Sequence, residues 1–151
     1  MRMKAGLSAA VLVAVMFGAS AVVAEQQDPI AERQALMKDV GKHTKLGAAM
    51  AKGEKPFDLA TAREIFATYE KSAAKMPELF PKGSTKGHKT TAAPKIWEKM
   101  DDFKARFTKF GDAAKKAQAS VTDLDSFRAA FGPLTKNNCG GCHKEYRIKR
   151  D

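Results

Sequence analysis

The chain has 151 residues, 44% hydrophobic and 29% charged, and its 27 Lys and Arg against 17 Asp and Glu give a net charge of +10. That length suits one domain with a sizeable core, and the balance excludes disordered and collagen-like chains. Two cysteines exclude a disulfide-dense scaffold. Beyond the N-terminus no run reaches the ~18 apolar residues of a membrane span, so a polytopic membrane protein is excluded as well.

Residues 1–24 read as a signal peptide. Arg2 and Lys4 precede an apolar stretch from Leu7 to Phe17, and Val22, Val23 and Ala24 end in a small residue suited to cleavage. An uncleaved anchor is the alternative, because Ala5 to Ala24 carries no charge; its Leu/Val-rich centre is short for a span. Cleavage after Ala24 removes two basic residues and no acidic one, leaving residues 25–151 with a net charge of +8. The expectation is an exported, basic protein with no membrane insertion once the signal is removed. Its lysines are spread along the chain without an Arg-rich arm, which argues against nucleic acid. The charge favours attraction toward an anionic partner or membrane surface.

Four segments of the mature chain have helical periodicity and none alternates as a strand does. The first opens at Asp28 and Pro29, an N-cap followed by proline at the first helical position, and ends near Gly53. Its inward stripe is Ile30, Met37, Val40, Thr44 and Gly47, with Arg33 on the same face. The second follows Asp58 and carries a seam of Leu59, Ala62, Phe66, Tyr69, Ala73 and Met76, stopped by Pro77. Residues 77–93 form a polar connection with Pro81, Gly83 and Gly87, long enough to serve a site.

The third segment begins at Pro94 and keeps a three-four alternation from Ile96 through Phe103, Phe107 and Phe110 to Ala117. The fourth follows a capping-box pattern at residues 122–125 and aligns Leu124, Phe127, Phe131 and Leu134. Gly132 and Pro133 predict a kink, after which the helix is expected to run to about Arg150. Four amphipathic helices with mostly short loops predict an all-α fold, an antiparallel four-helix bundle over residues 25–151.

The chemistry lies in Cys139, Gly140, Gly141, Cys142 and His143. Cys-x-x-Cys-His is the attachment pattern of a c-type haem: two thiols on one turn reach two vinyl groups, and the next residue offers an imidazole to the iron. A disulfide between Cys139 and Cys142 would constrain almost nothing. A haem-free thiol–disulfide oxidoreductase would want a βαβ context, which the chain lacks, and neither alternative uses His143. No paired carboxylates, phosphate loop or nucleophile–base pair suggests an enzyme.

A C-terminal motif on the last of four helices resembles the class II cytochromes c, the cytochrome c′ family. The resemblance covers the mature chain, including Arg33-Gln34, Lys52-Gly53-Glu54, Leu79-Phe80-Pro81, the Pro94-to-Trp97 run and Tyr146-Arg147. It implies one covalent haem c between the helices, often a dimer, in the bacterial periplasm. His143 becomes an axial ligand, and Arg33 lies near a haem propionate; an arginine snorkelling from the stripe's edge is the alternative. Met37, one turn after Arg33, takes the distal position. In low-spin relatives methionine there is the sixth ligand, which suits an electron carrier exchanging with redox partner proteins. If Met37 only packs, the iron stays five-coordinate and open to nitric oxide or carbon monoxide. Met50, Met76 and Met100 read as core, His43 and His88 as solvated, and Trp97 as packing. Arg147 is either proximal to the haem or on the surface.

Overall fold

The computed structural model describes residues 28–149; the expected signal peptide and its cleavage point lie outside the described residues. Helix α1 spans Pro29–Lys52 and α2 spans Leu59–Lys75. The long connection contains two short 3₁₀ turns, Met76–Leu79 and Lys82–Ser84. Then come α3, Lys95–Glu98, α4, Met100–Ser120, and α5, Leu124–Leu134. A π-helical turn, Thr135–Gly140, leads into α6, Gly141–Tyr146. The long rods α1, α2, α4 and α5–α6 make a four-helix bundle, with α2 against α4 as its most extensive contact. Among the described residues no helix is long and apolar enough to cross a membrane.

The helix ends follow the sequence signals. Asp28 accepts from the Ile30 and Ala31 amides, and Asp123 forms a reciprocal capping box with Ser126. Gly53 closes α1 in the left-handed region at φ 77°, its amide returning to Ala49 and Met50. The Arg128 Nε donates to the Ala51 carbonyl at 2.7 Å, which satisfies a further carbonyl at the same end of α1 and fixes it to α5.

The core is aromatic. Phe66, Tyr69 and Phe127 are fully buried, with Phe107, Phe110 and Phe131 around them. Phe127 and Phe131 stack at 5.1 Å, and Phe66 meets Phe127 at 5.6 Å. Gly47 lets α1 approach α5: a Cβ there would sit 2.5 Å from the Phe131 ring.

Two expectations need correction. The third segment is not one helix, because Lys99 leaves helical geometry at φ −127°, ψ 47° and separates α3 from α4. The last segment stops at Tyr146, short of Arg150. The chain is drawn into an extended pairing instead: Ala92 bridges Arg147, the Ala93 amide donating to the Tyr146 carbonyl at 2.9 Å and the Ile148 amide to the Thr91 carbonyl at 2.8 Å. The irregularity expected at Gly132 and Pro133 falls one turn later, since α5 carries Pro133 inside it and the π turn follows Leu134.

Candidate haem site

The π turn sets up the site. Phe127, Phe131 and Leu134 form the buried face of α5. Bonding from i to i+5 takes up one residue more than an α turn, so Cys139, five positions after Leu134, returns to that face. Cys142 and Tyr146 then follow three and four residues apart on α6. Both cysteines are free thiols, half-buried, and packed against the core.

They open onto a cavity of about 710 Å³ between α1 and the C-terminal turn, within the ~300–1,000 Å³ typical of cofactor sites. The side of α1 contributes Arg33, Met37, Val40 and Thr44; the floor is Phe103, Phe107 and Phe110 of α4. Thr90, Thr91, Ala92 and Asn138 also line it.

Burial pushes the Cys139 thiol up to about 11, with the neighbouring Cys142 adding to the effect. The Cys142 thiol is raised too, again chiefly by burial, while the Arg106 charge opposes the rise. His143 follows directly and faces the same cavity. Burial, then the Arg147 charge, lowers its pKa, although the residue as a whole is exposed. The imidazole is therefore neutral near pH 7, the form that ligates metals. Two thiols and a neutral imidazole on one wall of an apolar chamber fit a covalently held haem.

Arg33 is 4% exposed. Its Nη1 donates to the Leu79 carbonyl at 3.0 Å and to Ser84 Oγ at 2.9 Å. Its Nη2 donates to the Ser84 carbonyl at 2.8 Å and to Thr90 Oγ1 at 3.0 Å. The guanidinium also lies 4.4 Å over the Phe80 ring. Four of its five N–H donors thus tie the long connection to α1, a use the sequence did not reveal. Burial lowers its pKa, partly offset by Asp28, yet it stays a cation.

Met37 is half-buried on the α1 wall, and Met76, read from sequence as core alone, is both core and cavity wall. Met50 is core. His43 bonds the Asp39 carbonyl and His88 pairs with Asp28 at 2.6 Å; neither lines the cavity. Trp97 packs: its Nε1 donates to the carbonyls of Phe80 and Pro81, each at 3.1 Å. Arg147 does reach the cavity.

Sequence reasoning missed Arg106, Asp102 and the part played by Tyr146. Tyr146 donates to Asp102, whose carboxylate also accepts from Arg106 Nε at 2.8 Å. These bonds, that to Tyr146 foremost, hold the Asp102 pKa below its ordinary value. They fasten the end of α6 to α4. An Asp and an Arg four apart on an exposed helix face suggest only a local pair, so nothing in the sequence linked Asp102 to Tyr146.

The family model described as Cytochrome C′ matches residues 28–147. The chain is 40% identical over 136 residues to a cytochrome c′ of Rhodopseudomonas palustris, covering 90% of this chain and 92% of that protein. It is 38% identical over 141 residues to a cytochrome c-556 of the same organism, covering 90% and 93%. Of solved structures, cytochrome c′ from R. palustris superposes with a TM-score of 0.80 at 40% identity, over 83% of this chain and 100% of that one. A structural model of oxidised R. palustris cytochrome c556 gives 0.75 at 34% identity, over 83% and 100%. A bundle of this topology, a thiol pair and histidine on the wall of its chamber, and a family match over residues 28–147 lead to one conclusion: the chain belongs to the cytochrome c′ family, whose cofactor is covalent haem c.

Proposed function

We propose that the protein is a periplasmic mono-haem c-type cytochrome that carries single electrons rather than an enzyme. Cys139 and Cys142 would hold the haem through two thioethers, His143 would be one axial ligand and Met37 the other. When bound, the haem supplies reversible one-electron chemistry. The observation that carries this reading is the shared chamber: Met37 on the α1 wall and His143 on the C-terminal wall line the same cavity. A Met and His pair favours a raised reduction potential and leaves no vacant position for small ligands.

The chain's own residues shape the environment. Phe103, Phe107 and Phe110 keep water from the chamber, and Arg33 holds Thr90 in its lining. Arg33 is also the buried cation nearest to serve a propionate, although a two-pronged contact would compete with its bonds to Ser84 and Thr90. Export through residues 1–24, an anionic-surface redox partner and a possible homodimer complete the reading.

A second reading has its own support. The relatives include cytochromes c′ as well as c-556, and one similar solved structure is a nitric oxide complex of a mutant cytochrome c′ from Alcaligenes xylosoxidans (TM-score 0.69, 29% identity). If Met37 only packs, the protein would take nitric oxide or carbon monoxide at an open distal position. The mass of the exported protein tests attachment: the expected value is the chain from Glu25 plus one haem. An unmodified mass with a reducible Cys139–Cys142 bridge would point to dithiol chemistry. A redox titration then separates the two haem readings, since an electron carrier returns a reversible one-electron wave that carbon monoxide leaves unmoved.

A further inference from the structure

The residues around the cavity mouth are lopsided in charge. Lys38 and Lys45 stand on its α1 side, Arg147 on its C-terminal side, and not one Asp or Glu lines the cavity. Lys42 is exposed between the two lysines, completing a row at positions i, i+4 and i+7 along one face of α1. Of the carboxylates of α1 and its cap, Asp28 pairs with His88 and Glu32 with Lys75, and the half-exposed Asp39 lies 3.6 Å from His43. Among the described residues, none of Lys38, Lys42, Lys45 and Arg147 has an ion-pair partner. Two haem propionates would balance two cations and leave the rim positive.

We propose that this rim, Lys38, Lys42 and Lys45 facing Arg147 across the mouth, is the docking face for a partner protein whose electron-exchange patch is rich in carboxylates. The inference rests on the electron-carrier reading and adds where the partner binds and by what chemistry. Unpaired cations at the mouth of the haem chamber steer an anionic surface towards it. Such steering weakens as salt shortens the Debye length.

The test uses the reduced holoprotein and two one-electron oxidants, hexacyanoferrate(III), an anion that becomes hexacyanoferrate(II), and the cation tris(phenanthroline)cobalt(III). At low salt the double variant Lys38→Glu/Lys45→Glu is expected to react with hexacyanoferrate(III) about tenfold more slowly and with the cobalt complex faster. Reversal of two exposed lysines away from the mouth, Lys55→Glu/Lys115→Glu, is expected to leave both rates nearly unchanged. Polyglutamate is expected to slow the hexacyanoferrate(III) reaction of the unmutated protein and not that of the Lys38/Lys45 variant. Equal effects from the two pairs, or no inhibition by polyglutamate, would overturn the docking face while leaving the electron carrier standing. Failure of the unmutated protein to react with either oxidant would overturn both.

Discussion

Arg33 grips Ser84 twice across 51 positions of sequence, through the hydroxyl at 2.9 Å and the backbone carbonyl at 2.8 Å. Ser84 is itself 3% exposed, so this charge-assisted pair is removed from water. Replacing Arg33 by Gln would leave the Ser84 and Leu79 carbonyls short of donors and remove the cation over Phe80. A loss of about 3 kcal/mol in unfolding free energy is expected. Hydrogen exchange should accelerate first at the amides of Ser84 and Thr90, before those of α2. Protection in that loop equal to the unmutated protein's would contradict the clamp.

Gly47 and Phe131 define the second prediction. In an open helix position Gly→Ala gains about 1 kcal/mol. Here the new methyl meets a ring that is 5% exposed and stacked on Phe127, and overpacking of that kind costs about 1–3 kcal/mol. Gly47→Ala should therefore lower the unfolding midpoint in urea, and adding Phe131→Leu should recover part of the loss. A midpoint raised by Gly47→Ala alone would show that α1 and α5 are not in such close contact.

Acid sensitivity is the third. The backbone amide of Ser126, then its hydroxyl, hold the Asp123 carboxyl below its ordinary pKa. With the folded value lower than the unfolded one, this cap contributes fully above about pH 5 and is lost as pH falls through the folded pKa. Asp123→Asn keeps an N-cap acceptor and removes the titration. Thermal unfolding between pH 6 and 3 should show a shallower decline for that variant than for the unmutated protein; parallel declines would assign the acid loss to other carboxylates.

The legibility of the chain divides along these lines. Helix ends marked by Asp28, Gly53, Asp58 and Asp123 were readable because each cap works through neighbours two to four positions away. The apolar seams were readable too, since burial repeats with the helical period. The Cys-x-x-Cys-His run announced the cofactor outright. What stayed hidden depends on partners distant in sequence: Arg33 with Ser84, Asp102 with Tyr146, and the pairing of Thr91 with Ile148 that ends α6 early. Lys99 breaks the third segment without a Gly or Pro to signal it. The π turn was hidden because periodicity before and after it is intact, and only its phase is shifted.

That phase supplies the fourth prediction. The π turn carries one surplus residue between Leu134 and Cys139. Deleting the exposed Lys136 should convert it to an α turn and leave Cys139, Cys142 and Tyr146 on the buried face. Inserting one alanine after Lys136 should rotate them off it. The deletion is expected to yield protein whose mass still includes one haem, and the insertion protein largely without it. Attachment unaffected by the insertion would show that the turn does not set the cysteine register.

The electron-carrier account stands or falls on Met37, and the oxidised holoprotein's EPR spectrum at neutral pH addresses it directly. The account predicts a low-spin signal that turns high-spin in Met37→Ala and is unchanged in Met76→Leu, since Met76 lines the same cavity but belongs to the core. A high-spin signal in the unmutated protein, with carbon monoxide binding readily after reduction, would contradict it.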